Sequence, residues 1–265
     1  MKLCLLTGEY PPEPGGVGAY TRCLAEALAA RGHEVSVLTI QGGALVRYGA
    51  DGAAERLGGA SLDWSPRCWR PLIAALAAMG PAWLHIQYQT GAYAMRPGVN
   101  LLPWRLRRLG APPRVAVTFH DLLVPYLFPK AGPLRRWVNL RLARDSDVVV
   151  ATNAADAAAL RASAPGLAPH TIPIGSNIPV APPPGYDREA WRAGLGVAPG
   201  ELLVAYFGLL SPSKGADVLV EALARLALPW RLLLVGGAAT APQDEAHADA
   251  VRARLAGLGL EGRVI

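Results

Sequence analysis

Lysine is nearly absent from this chain of 265 residues. It occurs only at Lys2, Lys130 and Lys214, so arginine carries most of the net charge of +6. Alanine, glycine and proline are abundant as well, and such a joint bias is typical of genome-wide composition. We therefore do not take the positive charge as a sign of nucleic-acid binding. Charged residues make up 17% and hydrophobic residues 52% of the sequence, which predicts a globular chain with a core and excludes a disordered one.

Cysteine is scarce too, since Cys4, Cys23 and Cys68 are odd in number and show no CxxC spacing. Such usage favours a reducing compartment over a disulfide framework. The N-terminus has one lysine followed by a strand-like run, so no signal peptide is predicted. The most apolar segment, residues 71–86, is interrupted by a Gly-Pro pair and is too short to span a bilayer. The expected location is cytoplasmic, with peripheral contact at the inner membrane face left open.

Arginines gather in two clusters, for which two interpretations stay open. One is a solvated helix face, which is the more frequent case. The other is attraction to an anionic membrane or an anionic substrate. The clusters consist of Arg96, Arg105, Arg107, Arg108 and Arg114, and of Arg135, Arg136, Arg141 and Arg144.

The common phosphate-binding motifs are missing. No G-K-[ST] run occurs in the chain, and GVGAYT at residues 16–21 lacks the third glycine of a dinucleotide fingerprint. In their place stands the loop GEYPPEPGGVG at residues 8–18, between an apolar run and a helical pattern. Glycine allows a ligand to approach the backbone closely, and the first turn of a helix offers unpaired N–H groups to an anion. The loop therefore predicts an anion site, with a simple tight strand-to-helix turn as the alternative.

Short apolar runs alternate with helical patterns along the first two thirds of the chain. Near-continuous apolar strands separated by helices are typical of a parallel sheet covered on both faces. The predicted strands are residues 2–7, 35–40, 83–87, 114–119, 148–151 and 170–174, with helices near residues 17–31, 67–79, 98–109, 133–145 and 153–162.

A proline-rich segment without a period, GSNIPVAPPPGYD, follows this region, and the alternation of strands and helices starts again after it. Strands are predicted at 202–207 and 231–235, helices at 214–226 and 246–257, and the final GRVI begins a further strand. The sequence therefore predicts an α/β protein of two Rossmann-like parallel-sheet domains. Residues 1–172 form the first, 173–200 a linker or crossing, and 201–265 a second, incomplete domain.

Six segments, in order, carry a resemblance to a known family. They are LLTGEYPPEPGGVGAYTRCLAEALAARGHEVSVLT, WLHIQYQTGAY, AVTFHDL, HTIPIGSNIP, YFGLLSPSKGADVLVEALARL and RLLLVGG. This series resembles glycosyltransferase family four, the retaining GT-B enzymes related to glycogen synthase. The resemblance covers essentially the whole chain. It implies a GT-B fold with an acceptor-side first domain and a truncated donor-side second domain.

The resemblance assigns expected roles to four residues. Gly15 and Gly16 would approach the diphosphate of the sugar donor, and His120 would contact the transferring sugar. Lys214 would neutralise the leaving diphosphate. A loop-capping histidine and an ordinary lysine at a helix start are the alternatives for the last two. Leu209 stands where the family usually has an arginine, so more of the diphosphate charge would fall on Lys214.

The implied activity is transfer of a sugar, with retention, from a nucleotide-diphospho-sugar to a glycan or lipid-linked acceptor. No metal and no cofactor are expected, since the D-x-D pair of Asp145 and Asp147 joins a helix to a strand and is interpreted as a linker. A non-catalytic sugar- or anion-binding remnant is the main alternative, and a sugar-nucleotide epimerase a weaker one. Because the donor domain is incomplete, the chain by itself is expected to show no measurable turnover.

Overall fold

The structure is a computed structural model that describes residues 1–58, 61–122, 132–178, 181–236 and 242–265. Its backbone contacts divide the chain into two compact units, Met1–Pro179 and Val180–Ile265. The division falls inside segment 173–200, which the sequence predicts as a linker. Within the described ranges, no helix is both long enough and apolar enough to cross a membrane.

The first unit contains eight strands in the described ranges, and they form one sheet. They are β1 (Lys2–Thr7), β2 (Glu34–Gln41), β3 (Ala44–Gly49), β4 (Ala54–Gly58), β5 (Trp83–Gln89), β6 (Arg114–Asp121), β7 (Val148–Ala151) and β8 (His170–Thr171). Six strands run parallel in the order β2-β1-β5-β6-β7-β8, and β3 and β4 extend the sheet beyond β2 as an antiparallel hairpin. The six predicted strands are all present, whereas the hairpin is not predicted by the sequence pattern.

Helices connect these strands. Those in the described ranges are α1 (Gly16–Ala29), α2 (Trp69–Met79), α3 (Leu102–Leu106), α4 (Gly132–Arg144) and α5 (Ala154–Ser163). All five predicted helices are found, although the one predicted over 98–109 is a 3-10 turn at Val99–Leu101 followed by the short α3. Gly32 follows the end of α1 with a φ of 81°, a left-handed conformation that favours glycine.

Successive side chains of β1 point to opposite faces of the sheet, so its apolar residues are divided between the two faces. Cys4 and Leu6 enter a buried cluster with residues of α2, α3, α4 and α5. Leu5 lies on the opposite face and packs in a second cluster with Val37 and with Ala25 of α1. The parallel sheet of the first unit is thus covered on both sides, as the continuous apolar runs predict.

The second unit has two parallel strands in the described ranges, β9 (Leu202–Phe207) and β10 (Trp230–Val235). Its helices are α6 (Arg188–Gly194), α7 (Ala216–Ala224) and α8 (Pro242–Gly257). Trp230 and Leu232 are buried in a cluster that joins the strands to α7 and α8. Val264 pairs with Leu232 as an isolated parallel bridge, as expected for the start of a further strand. Two predictions are wrong in detail: α6 lies inside residues 173–200, which are predicted as a linker, and α7 begins at Ala216 instead of at residue 214.

Candidate functional site

In the first sheet, β2 lies on one side of β1 and β5 lies on its other side. The chain connections therefore lead away in opposite directions from the central strands β1 and β5. Their carboxyl ends lead into the loop 8–15 and into the segment that follows Gln89. The two loops touch, because a Cβ on Gly8 would lie 2.4 Å from the carbonyl oxygen of Ala92. In an open parallel sheet, ligands bind at such a position.

The side chain of Glu9 forms hydrogen bonds to the first turn of α1. Its Oε1 accepts hydrogen bonds from the backbone N–H groups of Val17 (2.9 Å) and Gly18 (3.2 Å). The hydroxyl of Thr7 donates to the carbonyl of Glu9 (2.9 Å) and so holds this residue at the end of β1. A carboxylate here satisfies two helix N–H groups and interacts favourably with the helix dipole. The sequence pattern does not single out Glu9, whose only signal is an acidic residue seven positions before the start of the helix.

The three glycines near the helix start have different surroundings. A Cβ on Gly15 would lie 2.2 Å from the Glu9 carboxyl group, and one on Gly18 would lie 2.9 Å from the Glu9 carbonyl oxygen. A Cβ on Gly16 would meet nothing within 4 Å. The N–H groups of Gly15 and Gly16 have no hydrogen-bond partner among the described residues. Gly15 and Gly18 thus make room for the loop itself, and the most open stretch of backbone lies at Gly16.

His120 lies at the carboxyl end of β6, the strand next to β5. Its Nε2 is 3.0 Å from Oε1 of Gln87, which accepts its hydrogen bond, and its ring packs edge-on against Tyr20 of α1 with centroids 4.8 Å apart. Burial lowers the pKa of His120 to about 4, so the ring is neutral at neutral pH. In this neutral form Nε2 holds the proton, and Nδ1 keeps a lone pair that can accept a hydrogen bond.

A row of polar side chains lies between β5 and β6 on the face that carries α1. His85 Nε2 is 2.8 Å from Thr118 Oγ1. Burial, and then the charge of nearby His120, lower the pKa of His85 to about 4. Gln87 is fully buried, and its Nε2 has no partner in the part of the chain that the structure describes. The sequence does carry a signal for this row, because WLHIQYQ places polar residues at every second position of an otherwise apolar strand.

Lys214 belongs to the second unit, so the structure brings only Gly15, Gly16 and His120 of the predicted site residues into one unit. Lys214 ends a 3-10 turn, Pro212–Lys214, and Gly215 follows with a φ of 70° before α7 begins. Its side chain is exposed and forms no ion pair with the described residues. Leu209, which stands where the family pattern has arginine, is 51% exposed and brings no charge to this loop.

Asp145 and Asp147, the D-x-D pair, both have structural partners. Arg141 and Arg107 approach the Asp145 carboxylate to 2.7 and 4.0 Å. Oδ2 of Asp147 accepts a hydrogen bond from the backbone N–H of Val115 (2.7 Å). Across the described ranges, no group of three or more His, Cys, Asp or Glu side chains is arranged to hold a metal ion.

Comparison with known families matches residues 15–175 to the glycosyl transferase 4-like domain. The chain is 27% identical over 258 residues to the D-inositol 3-phosphate glycosyltransferase of Jonesia denitrificans, a match that covers 87% of this chain and 60% of that protein. A stretch of 56 residues is 45% identical to the protein of the same name from Rhodococcus erythropolis and covers 19% of this chain. These matches span 13% to 60% of the length of the curated relatives.

Solved structures share the fold over the whole chain. Sucrose-phosphate synthase from Thermosynechococcus elongatus aligns with a TM-score of 0.76 at 24% identity, covering 100% of this chain and 69% of that chain. HepE of Anabaena in complex with UDP-glucose aligns with a TM-score of 0.66 at 22% identity, covering 100% and 68%. The neighbours are GT-B glycosyltransferases, and the predicted α/β fold of the GT-B class is confirmed.

Proposed function

The chain belongs to the glycosyl transferase 4-like family, and from this premise we propose that it acts in retaining sugar transfer. The donor is a nucleotide-diphospho-sugar, and the acceptor is a glycan or a lipid-linked molecule. HepE, which was solved with UDP-glucose, supports a nucleotide-sugar donor. In this proposal the first unit serves the acceptor and the second unit contributes to donor binding.

One observation carries the proposal: an open backbone N–H group and a neutral histidine lie at the same edge of the first sheet. The N–H of Gly16 is unpaired among the described residues, and His120 contacts Tyr20, one helical turn beyond Gly16. A diphosphate at Gly16 would gain a hydrogen bond from this backbone N–H group at the start of the helix. The attached sugar would then lie at the sheet edge where His120 is placed.

The proposed chemistry is electrostatic stabilisation of the leaving nucleotide diphosphate. The start of α1 contributes hydrogen bonds from its free N–H groups, because the Glu9 carboxylate already offsets the helix dipole. Lys214 contributes a full positive charge. Neutral His120 accepts a hydrogen bond at Nδ1 from a hydroxyl of the transferring sugar and so orients it. Glu9 stays bonded to the next helix N–H groups and confines the phosphate to those of Gly15 and Gly16. No metal takes part in this scheme, and unchanged activity in the presence of a chelator tests that point.

Gly16→Ala tests the phosphate contact. The added methyl group enters open space and alanine favours a helix, so the unfolding temperature should not fall. Binding of UDP-, GDP- or ADP-glucose, measured by calorimetry on a form extended beyond residue 265, should weaken about tenfold, which corresponds to about 1.4 kcal/mol. Gly18→Ala is the matched control, because its methyl group meets fixed backbone and should lower stability instead. Undiminished donor binding by Gly16→Ala would remove the loop from the donor site.

His120→Ala tests the contact with the sugar. In a form extended beyond residue 265 that shows turnover, kcat should fall far more than KM rises if His120 interacts with the sugar mainly in the transition state. A thermal melt of the same variant separates this outcome from a folding defect. Parallel losses of stability and activity would mark His120 as a structural loop residue.

A further inference from the structure

Helices α3 and α4 form one continuous surface that unites most of the two arginine clusters. The two helices pack together. Arg107, which follows α3, and Arg141 of α4 both approach the carboxylate of Asp145, at 4.0 and 2.7 Å. The basic residues separated in the sequence are therefore neighbours in the fold. We call this surface the α3–α4 face; its residues are Trp104, Arg105, Arg107, Arg108, Leu134, Trp137, Arg141 and Arg144.

The charge of this face is strongly one-sided. Residues 102–109 and 132–145 contain seven arginines and a single acidic residue, Asp145. The Asp145 side chain is only 10% exposed and lies behind Arg107 and Arg141. Arg144 is exposed on α4, and the guanidinium of Arg108 covers the ring of Trp104 at 3.6 Å. Such a surface attracts an extended array of negative charge.

The same face exposes apolar side chains that a merely solvated helix would not need. Leu134 and Trp137 are 63% and 52% exposed. They border a groove of about 300 Å³ whose apolar lining also includes Met95, Pro97, Leu101 and Val138. Positions 134, 137 and 141 follow the spacing of one helix face, so the apolar pair and Arg141 point the same way. Apolar and cationic groups are therefore presented together.

We propose that the α3–α4 face docks on the surface of an anionic lipid bilayer. Leu134 and Trp137 enter the boundary between headgroups and acyl chains, where the amphipathic indole ring is favoured. The arginines lie against the lipid phosphates, whose negative surface potential attracts basic segments. The exposed apolar pair favours a bilayer over a nucleic acid, because a phosphodiester backbone offers no apolar layer. The proposal does not depend on sugar transfer.

Co-sedimentation with vesicles tests the proposal without any activity assay. The protein should bind vesicles of mixed phosphatidylglycerol and phosphatidylcholine, bind pure phosphatidylcholine weakly, and dissociate as salt is raised. Leu134→Ser combined with Trp137→Ser, and separately Arg108→Gln combined with Arg144→Gln, should each reduce binding about tenfold. Thermal melts check that these variants remain folded.

Two matched controls come from the same unit. Ile172→Ser with Ile174→Ser removes apolar side chains that are 52% and 51% exposed but lie outside this face. Arg22→Gln with Arg31→Gln removes the same charge from another helix region, since Arg22 lies in α1 and Arg31 just after its end. Both controls should bind vesicles like the original protein. Equal loss in controls and test variants, or binding that ignores lipid charge, overturns the proposal. So does a dimer in light scattering that only the α3–α4 variants abolish, because the face would then belong to a second copy.

Discussion

The two units use the same strand–helix alternation but cover their sheets differently. In the first unit, clusters on both faces bury the central strands. In the second, α7 and α8 pack with alternate residues such as Val204 and Leu232 on one face. The other face shows Phe207, which is 72% exposed, and Val235, which is 42% exposed. A parallel sheet is normally buried on both sides, so the stability of the second unit rests on a single layer of contacts.

The strand-to-helix loops of the two units differ in a related way. In each, glycine allows neighbouring loops to approach: a Cβ would meet a carbonyl oxygen at 2.4 Å on Gly8 and at 1.9 Å on Gly236, whose contact is Gly208. The first loop then satisfies its helix start with Glu9, while the second leaves Lys214 exposed ahead of α7. The first loop therefore places the Glu9 carboxylate against its helix, whereas the second loop exposes the ammonium group of Lys214.

The largest expected effect comes from truncating Trp230, which is buried in the core on one face of the second sheet. Trp230 is 1% exposed, and Trp230→Ala should cost about 3–5 kcal/mol and unfold the second unit. Limited proteolysis with mass spectrometry should then leave a fragment that ends near residues 173–184. Leu84→Ala, which empties part of the larger core, is the matched control and should leave both units resistant. If protease degrades both units of Trp230→Ala at the same rate, the predicted difference in stability between the two units is wrong.

Acid should lower the free energy of unfolding of the first unit, whose sheet is covered on both faces. The pKa of His85 is about 4 in the folded protein, below its ordinary value of 6.5, so protonation favours the unfolded chain. The stability linked to this neutral histidine is complete above about pH 6.5 and is lost as the pH falls to about 4, by roughly 3 kcal/mol. Urea unfolding across that range measures the effect. The double variant His85→Gln and His120→Gln should lose most of the dependence, and an unchanged slope would refute this assignment.

The difference between the loops predicts that activity depends on Lys214 while folding does not. In a form extended beyond residue 265 that shows turnover, Lys214→Ala should lower kcat by about a hundredfold, the usual loss for one preorganised stabiliser of developing charge. The melting temperature should stay unchanged because the side chain is exposed. Arg225→Ala, an exposed cation just after α7, is the control and should retain its activity. Equal kcat values for the two variants would make Lys214 an ordinary surface lysine.

The smallest effect is expected from removing the Glu9 carboxylate. Glu9→Ala removes the acceptor of two helix N–H groups and should reduce the free energy of unfolding by about 1 kcal/mol. Glu13→Ala changes the same charge in the same loop without touching α1, so its stability should be unaffected. Denaturant titration distinguishes the two. If Glu13→Ala is the more damaging change, the bonds between Glu9 and α1 do not stabilise the helix.

Much of the fold follows from local periodicity. Strands β1 and β6 are largely apolar runs, β5 alternates apolar and polar residues, and α1 is an amphipathic helix, so each could be placed from its own residues. The hairpin of β3 and β4 was missed because β4 is exposed along its whole length and shows no apolar pattern. Helix α6 was missed because prolines surround it, although Asp187 accepts hydrogen bonds from Glu189 and Ala190 as a helix cap.

The sequence by itself determined which loop follows the first strand, which strand ends in His120, and that glycine is needed before α1. Only the tertiary structure decided what those groups meet. Glu9 returns eight positions to bond α1, and Gln87 meets His120 across 33 positions. Helical and strand periods arise from neighbouring dihedral angles and can be recognised locally. A hydrogen bond between distant residues depends on sheet order and register, and these are set when the whole unit packs.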